Sequence, residues 1–329
     1  MGEEMCCGCT SLNADDEYDM GMHVAAIFIV FIVAGTGSMV PIISRMIPQS
    51  KANSVIMESV SAFSYGVVVA TALIHMISEG IEKLSSECLG PIVEEYESWG
   101  LAIVMITLLI MHLIECESTV FFGDEGSAHG HGPSNGEDTV ILGENLPSPH
   151  SVNHPYQKKS MDEGDGSSKL SRKIATLIFE AGVIFHSVII GVNLGVASGP
   201  GFKTLLAALS FHQFFEGIAI GSSALKTVES KSKLLTVNFA FALTTPAGLG
   251  FGILVRNSYS KSSTTALWVE GVLACVAGGI LLYTGIVELL TYNMTTNGQF
   301  MSRPTAQRFT LYFSMWAGAG VMALLGKWA

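Results

Sequence analysis

Apolar residues in this chain fall in long unbroken blocks rather than alternating with polar ones, so the first elements to place are membrane-length helices. A bilayer core about 30 Å thick needs roughly 20 mostly apolar residues of helix. Charge-free runs cover Met20 to Ser44, Ser59 to Ser78, Ala181 to Phe202, Leu234 to Val255, Gly271 to Val287 and Phe309 to Gly326. Two further runs carry only internal polar residues: Trp99 to Phe122, with Glu115 and Glu117, and Thr204 to Leu225, with Glu216. The pattern predicts an all-α membrane protein of eight transmembrane helices in one bundle. The runs are continuous, whereas barrel strands would alternate over about ten residues.

Composition agrees with this reading. The chain has 329 residues, 49% hydrophobic and 14% charged, with a mean hydropathy of +0.46. That is too little charge to cover a soluble globule. Placing both termini outside puts twelve of the 17 basic residues in the cytoplasm, among them Arg45, Lys51, Lys226, Lys231 and Arg303, as the positive-inside rule asks. The sequon at Asn293 would then face the cytoplasm and stay unmodified. No basic region marks a cleavable leader, so the first span is expected to serve as its own signal.

The polar segments divide the chain. Residues 1–19 form an acidic tail with Cys6, Cys7 and Cys9, open to three readings: acylation following Gly2, an extracellular disulfide, or metal collection. Residues 20–122 hold helices one to three. Residues 123–172, rich in Gly, Ser, Pro and charge, are expected to be a long disordered cytoplasmic loop between helices three and four. Residues 173–329 hold the remaining five helices. The integral, multi-pass character is set by these spans; the plasma membrane is the first expectation and an organelle membrane the second. The partners expected are the lipid bilayer and, as a candidate, a second copy of the chain in a homodimer; no nucleic acid is expected.

Within the spans, polar residues become informative, because each costs roughly 2.5 to 3.5 kcal/mol at mid-bilayer. His212 and Glu216 lie one helical turn apart on the fifth span, with Gln213 beside them, and His186 and Ser187 lie halfway along the fourth. Two imidazoles and a carboxylate form a donor set that suits zinc, iron(II) and similar cations. Without a cation, Glu216 would be a buried unpaired charge. The spans hold Cys116 and Cys275 but no methionine cluster of the kind copper(I) prefers. A membrane-embedded zinc-dependent hydrolase is the alternative that the same donors allow.

HSVIIGVNLG in span four and HQFFEG in span five resemble the paired signature of the ZIP (zinc- and iron-regulated transporter-like) family, in its plant and fungal branch. The likeness extends to GVVVATALIHM, ALTTPAGLGFGI, GGILLYTGIVELL and the C-terminal GAGVMALLGKWA. The resemblance implies eight helices, both termini outside, a His-bearing loop between helices three and four, and uptake of divalent metal into the cytoplasm by a protein that is not an enzyme. It assigns the transport site to His186, His212 and Glu216, with Ser187 and Gln213 at the edge. Ile190 stands where two-metal relatives have a glutamate, and Thr244 and Thr245 occupy span six, so one ion per site is expected. His75 and Glu79 would form an entrance pair, and Glu115 and Glu288 exit carboxylates. His129 and His131 are candidate loop ligands. The cargo would be Zn2+ or Fe2+, with Mn2+ and Cd2+ as additional candidates, and no resident cofactor is expected. The resemblance also implies an elevator-like movement of the site-bearing helices.

Overall fold

The computed structural model describes residues 18–46, 51–124, 165–228, 230–256 and 263–327. Its helices are α1 (Met20–Met46), α2 (Lys51–Ala70), α3 (Ser78–Leu84), α4 (Pro91–Glu95), α5 (Trp99–Asp124), α6 (Asp165–Val196), α7 (Pro200–Thr227), α8 (Lys231–Val255), α9 (Thr264–Thr284), α10 (Gly298–Met301) and α11 (Thr305–Leu325). A π-helical stretch, Thr71–Ile77, joins α2 to α3, and a second, Gly285–Thr295, extends α9. No strand occurs among the described residues.

Among the described residues, seven helical segments are long and apolar enough to cross a membrane: Met20–Ser44, Val55–Leu84, Trp99–Ser118, Leu177–Val196, Gly201–Leu225, Lys231–Val255 and Thr264–Thr295. They match seven of the eight expected spans. The residues of the eighth expected span fall in the helix α11, which is not among those seven. One boundary differs. The expected fourth span ran on to Phe202, but α6 stops at Val196 and Phe202 belongs to α7. Gly199 has φ +67°, a left-handed conformation that glycine adopts without strain, and Pro200 follows in the first turn of α7. No charge marks this turn, so a reading based on charges passes over it. Helix α6 also begins at Asp165, inside the segment expected to be loop.

The helices form two sets. In the first, α6 packs on α8, and α1 packs on both α7 and α8; in the second, α2 packs on α11, and α9 on α3 and α5. Contacts of α6 with α9 and of α2 with α7 join the sets. A core of Ala26, Val30, Ile190, Leu194, Leu209 and Leu249 fills the first. The outer surface is apolar, with Phe28, Leu109, Phe251, Phe313 and Trp316 all more than half exposed, the inverse of a soluble protein and suited to lipid.

Where lipid surrounds the bundle, helices gain from direct backbone approach, which small residues permit. At the α6–α8 crossing, a Cβ on Gly191 would lie 2.4 Å from the Thr245 carbonyl oxygen, and one on Gly248 would lie 2.3 Å from that of Val188. These glycines therefore set how closely the two helices approach. Gly250, on the same helix, has open space around its Cβ position.

His23 shows how the bundle treats a polar residue that is purely structural. It is buried, its Nδ1 lies 2.8 Å from the Asp19 carbonyl and its Nε2 3.0 Å from that of Ala197, and its ring lies 3.9 Å from those of Tyr18 and Phe202. Each nitrogen faces a backbone carbonyl oxygen, and in the neutral ring one of them donates its N–H.

Replacing Gly248 by Val should lower the thermal stability of the detergent-solubilised protein by about 1 to 3 kcal/mol, the usual cost of overpacking. Gly250→Ala should shift it by less than about 0.5 kcal/mol. Unfolding midpoints of the two variants measured side by side check the contrast; equal midpoints would show that the α6–α8 crossing is not limited by Gly248.

Candidate metal centre

Helix α6 brings His186 and Ser187, and helix α7 brings His212, Gln213 and Glu216, into the interior of the bundle. All five are buried, the most exposed being His186 at 5%. One ligand atom from each of His186, His212 and Glu216 lies within 4.8 Å of the other two, and among the described residues this is the group of three metal-ligating side chains that comes together. The imidazole rings of His186 and His212 are 5.8 Å apart, and His186 Nε2 stands 3.8 Å from Glu216 Oε1. That separation exceeds a hydrogen bond and suits two donors facing a shared ion.

The hydrogen-bond inventory separates these residues from His23. His186 Nε2, both ring nitrogens of His212, both carboxylate oxygens of Glu216, both ends of the Gln213 amide and Ser187 Oγ are buried without a protein partner. Five side chains left in that condition side by side would cost several kcal/mol in an apolar interior. The donor set is one that a divalent cation satisfies: neutral nitrogen, anionic oxygen and space between them.

A third histidine joins from another helix. His75 lies in the π-helical stretch, is 6% exposed, and has its ring 5.9 Å from that of His212; its Nε2 also lacks a protein partner. His212 thus stands between His186 and His75. A π-helical turn inserts an extra residue into the helical repeat and redirects the side chains it carries. Glu79, expected to work beside His75, has a different setting: its carboxylate is 41% exposed, takes a 2.7 Å ion pair from Lys83 and a 3.4 Å hydrogen bond from Asn193, and Lys83 also bonds Glu270. Its contact with Asn193 of α6 ties α3 to the first helix set.

The other expected residues are spread more widely. Glu115 accepts a 2.5 Å hydrogen bond from Tyr283 of α9, and Glu288 lies half-buried in the second π-helical stretch, where its carbonyl accepts from Asn293. His129 and His131 lie outside the described residues, as do Cys6, Cys7 and Cys9. Sequence reasoning missed Lys83, Glu270, Asn193 and Tyr283 as partners of the acidic residues. Lys83 was findable as the residue four after Glu79; the others pair across helices and left no local signal.

Comparison with known proteins adds an independent finding. Residues 20–326 match the family model described as ZIP Zinc transporter. The chain is 31% identical to zinc transporter 9 of Oryza sativa subsp. japonica, with 98% of this chain and 94% of the relative covered. It is 33% identical to zinc-regulated transporter 1 of Saccharomyces cerevisiae, covering 95% and 89%, and 32% identical to zinc transporter 3 of Arabidopsis thaliana, covering 93% and 84%.

If the buried, unpartnered donors are ligands, His212→Ala and Glu216→Gln should each weaken equilibrium Zn2+ binding by more than the roughly 10- to 100-fold that loss of an outer-shell partner costs. Titration of the purified protein with zinc measures this. Glu79→Gln serves as the comparison and should change the dissociation constant less than about threefold, because its carboxylate is already paired to an ammonium in the solvent-facing zone.

Proposed function

We propose that this chain, which belongs to the ZIP zinc transporter family, carries Zn2+ across the membrane into the cytoplasm through the buried site of His186, His212 and Glu216. The chain is a multi-pass membrane protein that transports divalent metal and is not an enzyme; the hydrolase alternative finds no support in the family. Zinc is the cargo that the relatives' names support. Fe2+ is proposed as a second substrate, and Mn2+ and Cd2+ as further ones, because nitrogen and oxygen donors discriminate weakly among such ions.

The observation that carries the site assignment is the cluster of buried donors without protein partners, drawn from two adjacent membrane-spanning helices. Ser187 and Gln213 border it as neutral residues, and Ile190 adds no carboxylate. A single ion per site follows. His75 is proposed as the residue that meets the ion on its way to His212, with Glu79 outside it.

Orientation with both termini outside and eight spans, α11 included, rests on the distribution of basic residues. Two features support it. Cys88, in the connection between α3 and α4, is disulfide-bonded, as an oxidising extracytoplasmic side would permit. At the opposite end, a cavity of about 630 Å3 is lined by Ser44, Glu58, Ser222, Asn293, Asn297 and Arg303, with Arg303 paired to Glu58. Ser222 lies six residues beyond Glu216 on α7, roughly 9 Å along the helix. The cavity is thus placed to receive an ion leaving the site toward the basic end, and Glu288 belongs to the π-helical stretch that supplies its Asn293. Glu115, on α5, is proposed as the second acidic residue of this inner half. His129 and His131 would then take up the released ion in the cytoplasm, and a second copy of the chain is proposed as the partner of a homodimer. The plasma membrane is the proposed location.

A negative interior favours entry of a divalent cation by about 4.6 kcal/mol per 100 mV, twice the single-charge value, so inward movement needs no nucleotide. The glycine-lined α6–α8 and α1–α7 packing makes the first helix set a stiff unit, which is what an elevator-like movement against α2, α9 and α11 would require.

Zinc flux into sealed proteoliposomes tests this reading. His186→Ala, His212→Ala and Glu216→Ala should each abolish uptake while the protein still inserts; near-normal flux in any two would overturn the site. Flux should also depend on pH. Imidazole binds metal only when neutral. Uptake should therefore fall once the medium is acid enough to protonate His186 or His212. A steady rise on acidification, without a proton gradient to explain it, would count against histidine ligation.

A further inference from the structure

A second cluster of metal-ligating side chains lies away from the transport site, on the inner half of α5 against α9. His112 and Cys116 are four residues apart, share a face of α5, and are both exposed. His112 Nε2 stands 3.6 Å from Cys116 Sγ. On the other side of the ring, His112 Nδ1 lies 3.0 Å from the Tyr283 hydroxyl, which donates its proton to Glu115 Oε2 at 2.5 Å.

These contacts fix where the protons are. A tyrosine hydroxyl has one hydrogen, and Tyr283 uses it on Glu115. Toward His112 the phenol oxygen can only accept, so Nδ1 carries the ring proton and Nε2 presents its lone pair to Cys116. The thiol proton of Cys116 points at that lone pair. Metal-ligating histidines are commonly prepared in this way, with the distal N–H held by an acceptor that sets tautomer and ring direction. Zinc–nitrogen and zinc–sulfur bonds of about 2.0 and 2.3 Å at a tetrahedral angle would put the two donors roughly 3.5 Å apart. The observed spacing already matches.

We propose that His112 and Cys116 form a second metal-binding site, for a thiophilic divalent cation such as Zn2+ or Cd2+, with Tyr283 and Glu115 positioning the imidazole. The cation takes the place of the Cys116 proton between sulfur and Nε2, and one proton is released to solvent for each ion bound. Both ligands lie on the outer surface of the bundle, and an exogenous donor completes the coordination. Cys116 and His112 lie two and six residues, roughly 3 and 9 Å of helix, from Ser118, where the apolar segment ends and α5 continues to Asp124. Neither His112 nor Cys116 belongs to the His186, His212, Glu216 group.

Alkylation of Cys116 in the purified full-length protein tests it. N-ethylmaleimide labelling of that residue, followed by peptide mass spectrometry, is compared with and without Cd2+. Cd2+ should slow labelling by about tenfold or more, both in the wild-type protein and in a His186→Ala/Glu216→Gln background that lacks the transport site. His112→Ala should remove the protection. Tyr283→Phe should retain it but require roughly 10-fold more Cd2+, the effect of losing an outer-shell partner. A sulfur-to-metal charge-transfer band should appear on adding Cd2+ and be absent in Cys116→Ser. Protection that vanishes in the transport-site background, or that persists unchanged in His112→Ala, would overturn the proposal. If His112→Ala does not fold, a Tyr283→Phe protein with unaltered Cd2+ dependence would overturn it equally.

Discussion

Inside a bilayer no solvent is available to a polar group, so each must find its partner within the protein or in something the protein binds. That constraint organises this molecule. His23 meets it with two carbonyl oxygens and two flanking rings, and it reads as a structural residue. His186 and His212, equally buried, leave ring nitrogens without protein partners and face a carboxylate in the same condition. The same residue type at similar burial therefore has two meanings, and the inventory of partners tells them apart where hydropathy cannot.

The rest of the architecture serves to hold those donors in register. Glycines at the α6–α8 and α1–α7 crossings let backbones approach until further side-chain atoms would clash, so α6 and α7 are fixed against α8 and α1 rather than loosely against each other. The second set, with α2 and α9 at its centre, contributes through its departures from α-helical geometry. Both π-helical stretches occur there, one carrying His75 toward His212 and the other carrying Glu288 and reaching the inner cavity through Asn293. Irregular helix appears where the second set faces the proposed route, which fits the tendency of π turns to occur at functional sites.

Much of this was legible in the sequence. The spacing of His212 and Glu216, the mid-span position of His186 and the charge-free runs follow from helix geometry and bilayer thickness, and the structure carries seven of the expected membrane segments. What was not legible depends on long-range pairing or on local geometry without a composition signal. The α6–α7 turn hides in an uncharged stretch because Gly199 and Pro200 break a helix by conformation, not polarity. A π insertion at Thr71–Ile77 is invisible to a count of residues per turn, so the inward position of His75 could not be derived. The Tyr283–Glu115 bond joins residues 168 apart in sequence.

The charges at the proposed transport site bear on how it can release what it binds. With Glu216 ionised and both imidazoles neutral, the state in which they would ligate an ion, the donors carry −1 and the complex with a divalent ion carries +1. A second carboxylate at Ile190 or Thr245 would bring the complex to neutrality in a low-dielectric interior, where opposite charges attract most strongly, and would slow departure. Transport needs binding favourable enough to extract the ion from water yet weak enough to let it go. Neutral neighbours such as Ser187 and Gln213 keep the balance on the side of release, and a membrane potential then acts on the full double charge of the ion once it leaves these donors.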